Sequence, residues 1–270
     1  MADGTKKISR RQFLKASATA VVSLAVVGSA AYYLRDKSSV KKTGIVRPPG
    51  SIKEDDFLYA CIKCGLCVQI CPVNAIKLAD WSSNLSYGTP YIDANIQACD
   101  FSCDAIQCAE TCPTGAINFK IFKSAGDKAF EELREKFNGN IPANVNAFGF
   151  QILAMRKVAD MGIAKITDKE MCLAYHGKGY EGPLGQHHAL LRPPGSKERI
   201  DIAETMVKRE VCDLCVVYCP LGNEAIELKE TGNGKYLPEV KEGCVGCGVC
   251  QMLCPTQPKA IVIEPEEELV

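Results

Sequence analysis

Sixteen cysteines in 270 residues carry the chemistry of this chain, and fifteen of them fall in four tight groups. The first group, Cys61-x2-Cys64-x2-Cys67-x3-Cys71-Pro72, has the spacing at which thiolates hold a cuboidal iron–sulfur cluster. Three thiolates two residues apart curl round one face of such a cluster. Gly65 lets the backbone turn tightly between them. Cys71 follows after three intervening residues and faces away, and where two clusters lie side by side it ligates the other one. Pro72 then removes a backbone donor and redirects the chain. A second complete run is Cys244-x2-Cys247-x2-Cys250-x3-Cys254-Pro255, with Gly246 and Gly248 in its loop.

The other two groups are variants. Cys99-x3-Cys103-x4-Cys108-x3-Cys112-Pro113 is stretched, and Cys212-x2-Cys215-x3-Cys219-Pro220 lacks one cysteine. The sixteenth, Cys172, is separated from Cys212 by thirty-nine residues and is the one left over, so counting assigns it to the incomplete group. With the fourth cysteine of each run exchanged between neighbours, the ligands close as four sets. Cluster one takes Cys61, Cys64, Cys67 and Cys112, and cluster two takes Cys71, Cys99, Cys103 and Cys108. Cluster three takes Cys172, Cys212, Cys215 and Cys254, and cluster four takes Cys219, Cys244, Cys247 and Cys250. Iron is then bound through these cysteines alone, as four [4Fe-4S] clusters. Asp100 and Asp104 lie in the stretched loop and are expected to be solvated acids, because the cysteine count is already complete. Eight disulfides fit the count less well, since cysteines two residues apart are poorly placed to bond each other. Structural zinc usually shows paired CxxC motifs without a third cysteine and a Cys-Pro end. His176, His187 and His188 have no ligand spacing around them and are expected in a surface loop.

The elements that must position these groups are short. Cys71-Pro72-x2-Ala75-Ile76 and Cys112-Pro113-x2-Ala116-Ile117 are an internal duplication. Each copy reads as a turn followed by a strand, Ala75 to Leu78 and Ala116 to Phe119, with a further strand at Tyr91 and Ile92. Cys219-Pro220-x4-Ala225-Ile226 and Cys254-Pro255-x4-Ala260-Ile261 repeat the pattern with small insertions. Between the halves, residues 124–138 put Phe130, Leu133 and Phe137 on one helical face, and Asn138-Gly139 is a stop signal. Residues 150–161 read as a second helix with Ile152, Met155 and Ala159 as its stripe, and Met155 and Met161 as core. The stretch between Cys172 and Cys212 is rich in Gly and Pro up to Gly195, then helical from about Ile200 to Lys208. Trp81 is expected in the core.

The fold class is therefore α+β: two tandem ferredoxin-like modules, each binding two [4Fe-4S] clusters, with helical connecting segments. Residues 1–34 form an export signal or N-terminal membrane anchor, and 35–56 a linker broken by Arg47-Pro48-Pro49-Gly50-Ser51. The first module is 57–123, the helical connector 124–168, the second module 169–264 with insert 173–211, and the acidic tail 265–270. The whole chain has zero net charge, and without residues 1–30 it has 27 basic and 31 acidic residues, a net of −4. Nothing in that balance points to nucleic acid. Neither a phosphate-binding loop, a dinucleotide fingerprint nor a Ser-His-Asp arrangement is present, so the chain reads as an electron-transfer subunit with no catalytic site of its own.

At the N-terminus, Ser9-Arg10-Arg11-Gln12-Phe13-Leu14-Lys15 precedes nineteen uncharged residues, Ala16 to Leu34. The first stretch resembles a twin-arginine export signal, which implies that the twin-arginine translocation machinery is a partner. Such a route suits a protein whose clusters are inserted before export. The apolar run is almost long enough to span a membrane.

Taken together, this signal, Ser86-x-Gly88-Thr89-Pro90-Tyr91, Met161-Gly162-Ile163-Ala164 and the four cysteine groups with an isolated Cys172 resemble the NapG/MauM-type ferredoxins. The resemblance spans nearly the whole chain. It implies four [4Fe-4S] clusters on the periplasmic side and a NapH-like polytopic membrane subunit that oxidises quinol. A periplasmic reductase or other oxidoreductase would then be the acceptor. The chain departs from the pattern in its Cys99-x3-Cys103 spacing and in a longer insert after Cys172, which is a candidate docking surface for another enzyme. Two other readings fit fewer residues: an iron–sulfur subunit bound directly to a molybdenum or tungsten oxidoreductase, and a zinc-stabilised binding protein. Replacing Arg10 and Arg11 together by Lys is expected to leave the protein in the cytoplasm, as cell fractionation would show; unimpaired export would refute the twin-arginine route.

Overall fold

The computed structural model describes residues 45–81 and 86–265. The export segment, the linker before residue 45 and the tail beyond residue 265 lie outside the described residues. Among the described residues, no helix is long and apolar enough to cross a membrane. The described residues mix mostly short helices with five two-stranded antiparallel ladders, an α+β arrangement.

Residues 35–56 read as a linker in sequence, but from Val46 on the structure packs them. Val46 accepts from the Ile92 amide at 2.8 Å, and the Asn118 amide donates to the Gly50 carbonyl at 2.7 Å. Arg47 is buried and lies 4.7 Å over the ring of the fully buried Phe57. Its Nη1 donates to Thr89 Oγ1 at 2.8 Å and to the Pro90 carbonyl at 2.7 Å, while Nε donates to Glu54 Oε2 at 2.8 Å. Glu54 opens helix α1 (Glu54–Ala60), whose first turn carries three acids, the favourable end for negative charge. Gly50 is tied down sterically: at φ +82°, a Cβ there would sit 2.4 Å from Phe122.

Helix α2 (Leu66–Ile70) starts at Gly65, which takes the left-handed φ of 75° that the sequence pattern anticipates. Strands β1 (Ile76–Leu78) and β2 (Pro90–Ile92) pair antiparallel, with Ile76 opposite Ile92, and both isoleucines are buried. Helix α3 (Gln107–Glu110) follows. The expected strand over residues 116–119 is reduced to a single bridge between Ile117 and Ser51. The Asn118 side chain accepts from the Lys120 amide at 3.0 Å and caps a helix there instead. Trp81 is 85% exposed, not in the core, because it lies in the connection between β1 and β2.

That cap starts helix α4 (Phe119–Lys136), five residues before the expected 124. Helix α5 (Ala147–Lys157) starts three residues before the expected 150, at another asparagine cap: Asn146 Oδ1 accepts from the Gly149 amide at 2.9 Å. The two pack as a hairpin in which Gly126 faces Met155, a position where a Cβ would be 3.4 Å from Met155 Cγ. Leu133, Ile152, Met155, Ala159 and Met161 are buried, as their spacing anticipates.

The second half opens with β3 (Ile163–Ile166). The insert contributes β4 (Tyr180–Pro183), β5 (Leu190–Leu191), β6 (Ile200–Asp201) and β7 (Met206–Arg209). Strand β4 pairs with β7 and β5 with β6, so the expected helix from Ile200 to Lys208 is absent. Asp201 diverts the backbone: its Oδ1 accepts from the Ala203 amide at 2.9 Å, and its carbonyl accepts from the Thr205 hydroxyl at 2.7 Å. Such local bonds compete with helix formation, and Leu184, Leu191 and Ile202 bury their side chains almost completely in the resulting nest. Helix α6 (Leu214–Val217) is followed by the hairpin β8 (Ile226–Gly232) and β9 (Lys235–Val240), whose turn residues Asn233 and Gly234 both have positive φ. Helix α7 (Val249–Leu253) starts at Gly248, φ 89°, as α2 does at Gly65. The last strand, β10 (Ile261–Glu264), returns to pair with β3, placing Ala164 opposite Ile263.

Arg47→Ala is expected to lower stability by about 2–3 kcal/mol, because it strands the buried Thr89 and Pro90 acceptors of a charged donor. Arg47→Lys should not restore it, since Lys cannot bridge Glu54 in two-point fashion. Denaturant unfolding of the intact chain measures both.

Four cysteine sets as the candidate metal centres

All sixteen cysteines lie within the described residues, and all have free thiols. Cys61 caps the end of α1, Cys67 sits on α2, and Cys64 lies in the loop between them. With Cys112, which follows α3, they line a cavity of about 380 Å³ walled by Phe57, Leu78 and Ile117. Cys172, Cys212, Cys215 and Cys254 line a second cavity of about 380 Å³ with Leu173, Leu214 and Ile261. Cys219, Cys244, Cys247 and Cys250 line a third of about 360 Å³ with Leu221, Ile226 and Val245. Burial, then Cys103, Cys71 and Cys67, raises the Cys108 thiol, and burial, then Cys103 and Cys108, raises Cys99, so Cys71, Cys99, Cys103 and Cys108 lie within reach of one another's charge. The cavity linings thus bring together three groups of four cysteines, the distant Cys172 among them, and Cys71, Cys99, Cys103 and Cys108 lie near enough to interact through charge.

Each of the three hollows is lined by four cysteines and mainly apolar side chains. Neither a carboxylate nor an imidazole lines these three cavities among the described residues. His176 instead puts Nε2 2.8 Å from the Glu170 carbonyl, and His188 puts Nδ1 2.9 Å from Asp201. Both are exposed, as the sequence pattern anticipates.

The electrostatics fit a cationic group. Burial, then the charges of Cys61, Cys112 and Cys64, push the Cys67 thiol up to about 11. Burial, then Cys172 and Cys254, does the same to Cys212, also to about 11. Burial and neighbouring cysteines hold Cys99, Cys215 and Cys250 well above the ordinary thiol range. Four thiolates cannot gather behind apolar walls unless positive charge lies among them, and bound iron supplies it. Amides then favour the ionised sulfurs. Ala75 donates to Cys71 Sγ at 3.3 Å, Ala164 to Cys244 Sγ at 3.4 Å and Ile117 to Cys112 Sγ at 3.5 Å. At Cys112, burial still raises the thiol, but the Ile117 amide and Thr114 outweigh it and the net direction is down.

Several residues near the sets carry more than sequence reasoning assigned. Thr114 and Thr256 place their hydroxyls 3.7 and 3.3 Å from Cys112 and Cys254 Sγ. The shared Cys-Pro-Thr triplet was a readable signal for them. Asp100, expected to be solvated, is buried; it accepts from the Ser102 amide at 2.9 Å and the Arg192 amide at 2.6 Å. Asp104 is exposed and pairs with Arg192 at 3.0 Å. Arg156 also reaches this loop, donating from Nη2 to the Phe101 carbonyl at 3.1 Å. No spacing rule could have linked Arg156 or Arg192 to a loop so distant in sequence.

Comparison with known proteins agrees with the chemistry. A 4Fe-4S dicluster domain matches residues 60–116 and 208–257. The chain is 31% identical over 268 residues to the methylamine utilization ferredoxin-type protein MauM of Methylobacillus flagellatus, covering 97% of this chain and 86% of that one. It is 30% identical over 270 residues to MauM of Paracoccus denitrificans, covering 98% and 91%. Against the ferredoxin-type protein NapG of Escherichia coli K12 it is 31% identical over 264 residues, covering 95% and 85%. No solved structure matches.

Cys172→Ala tests the one ligand that spacing alone cannot supply. The expected outcome is loss of one iron or of one cluster, up to about a quarter of the total iron, seen by metal analysis and a changed EPR spectrum, with the other sets retained. Full iron and an unchanged spectrum would make Cys172 a buried small hydrophobe.

Proposed function

The chain belongs to the family of MauM and NapG ferredoxin-type proteins, and from that premise we propose a periplasmic carrier that passes electrons from a quinol-oxidising membrane subunit to a periplasmic oxidoreductase. It is an iron–sulfur electron carrier with [4Fe-4S] centres in an α+β ferredoxin-like fold. The finer reading is four clusters in two tandem modules, 57–123 and 169–264, joined by the connector 124–168. Its ligands are Cys61, Cys64, Cys67 and Cys112; Cys71, Cys99, Cys103 and Cys108; Cys172, Cys212, Cys215 and Cys254; and Cys219, Cys244, Cys247 and Cys250. The observation that carries this reading is that twelve of the sixteen thiols line three apolar hollows, four to each.

Bound clusters supply reversible one-electron chemistry. The chain's own residues supply the rest. Thiolates fix the iron. The amides of Ala75, Ile117 and Ala164 point at sulfur and favour added negative charge. Leu214, Leu221, Val245 and Ile261 keep water from the sulfurs. The periplasmic location rests on Arg10-Arg11 and the apolar run behind them. A NapH-like polytopic subunit as donor, and the twin-arginine machinery as exporter, rest on the kinship with NapG and on that signal.

Anaerobic purification with metal and sulfide analysis decides the cofactor load. The expected result is about sixteen iron and about sixteen acid-labile sulfide per chain, four of each per cluster. Stoichiometric zinc with negligible sulfide would overturn the electron-carrier reading.

A further inference from the structure

Each half links its two cysteine sets through short helices. Helix α2 carries Cys67 of the first set and ends on Cys71 of the second. Helix α3 carries Cys108 of the second, and Cys112 of the first follows it. In the other half, α6 carries Cys215 of the third set ahead of Cys219 of the fourth, and α7 carries Cys250 of the fourth and ends on Cys254 of the third. Four residues along a helix is about 6 Å, so the sets within each half adjoin.

The halves meet at one particular pair of sets. The Cys99 amide, in the second set, donates to the carbonyl of Cys247, in the fourth, at 3.1 Å. Beside it the Ala98 amide donates to Met252 Sδ at 3.3 Å, and Gln251 Nε2 donates to Asn95 Oδ1 at 2.9 Å. Gly248 lies so close that a Cβ there would be 2.6 Å from Ala94 Cβ.

The insert grips this junction from both sides. The buried Gln97 side chain donates to the Leu190 carbonyl at 2.8 Å and accepts from the Leu190 amide at 3.0 Å. Arg192 donates its amide to the buried Asp100 at 2.6 Å and its Nη2 to the Phe101 carbonyl at 2.6 Å. At the other end, Gln186 donates to the Pro255 carbonyl at 3.0 Å and accepts from Gln257 at 2.8 Å, just past Cys254. One strap, residues 186–192, therefore holds the loop of the second set and the loop behind the third.

We propose that insert 173–211 is an internal clamp which holds the second cysteine set against the fourth, so that the four sets run in one line: first, second, fourth, third. The junction of second and fourth is then the middle of a relay whose ends are the first and third sets, a use that rests on the electron-carrier reading. Gln97 and Arg192 are positioning residues: they touch no cysteine sulfur but fix the separation of two sets. Electron transfer weakens steeply with separation, so a loosened junction would interrupt the line while leaving every ligand in place.

The test uses the full, cluster-loaded chain with Gln97→Ala and, separately, Arg192→Ala. Iron and sulfide should equal the parent's. In the fully reduced protein, the EPR broadening from magnetically interacting neighbours should weaken. Amide exchange at Ala98 and Cys99 should quicken by roughly tenfold or more, as local opening becomes easier. Unchanged broadening and exchange in both variants would overturn the clamp. Should a variant lose its iron, the parent still decides: Ala98 and Cys99 must exchange slowly, and exchange at the rate of an open loop would overturn the proposal. A parent that exchanges slowly but holds no iron would sink the electron-carrier reading and leave the clamp standing.

Discussion

Four thiols brought within reach of one another behind apolar walls repel as soon as they ionise, and burial compounds the cost. Burial and neighbouring thiols both raise Cys67, Cys99, Cys215 and Cys250, for this reason. The remedy is the positive charge that bound [4Fe-4S] clusters bring. Around it the polypeptide needs little regular structure. Helices α2 and α7 are five residues each, and α3 and α6 four. Helices so short are marginal by themselves; metal bonds at their ends hold what propensity cannot. The hydrophobic core is continuous with these sets: Cys67, Cys108, Cys172, Cys219, Cys247 and Cys254 are buried in it with Phe57, Ile117, Leu214 and Leu253.

That economy explains the pseudo-symmetry. Gly65 and Gly248 both take left-handed backbone at the start of a cysteine helix. Thr114 and Thr256 both follow a Cys-Pro and place a hydroxyl near sulfur. Both also receive the amide of the coming alanine, Ala116 at 3.4 Å and Ala260 at 3.2 Å. The halves differ where something other than ligation acts. The first is flanked by the packed segment around Arg47 and the α4–α5 hairpin. The second carries the insert, whose strands bury Leu184, Leu191 and Ile202 and whose strap reaches back to the first half.

The errors of sequence reading have a common cause. Residues 116–119 and 200–208 have strand-like and helix-like patterns, yet Asn118 and Asp201 redirect the backbone through side-chain bonds that outweigh the local periodicity. The Asn233-Gly234 turn of β8–β9 was readable from its dipeptide, since both residues adopt positive φ. Trp81 and Asp100 exchanged their expected places, the apolar residue exposed and the acid buried. Hydrophobicity is a statement about average surroundings. Asp100 is buried because three donors reach it, two from Ser102 and one from Arg192.

The sequence by itself determined the chemistry of this protein. Ligand spacing is local, because a turn of two or three residues decides whether thiolates can share a cluster; hence the four groups, their Cys-Pro ends and the glycines between were legible one motif at a time. The exchange of fourth ligands, and the place left for Cys172, are expectations from arithmetic on those motifs. What lay beyond spacing was decided by tertiary structure: which set adjoins which, and what the insert is for. The Cys99 amide meets Cys247 across nearly 150 residues, and Gln97 meets Leu190 across 93. Contacts of that range depend on how two halves settle against each other, through backbone groups and buried polar side chains that no periodicity records.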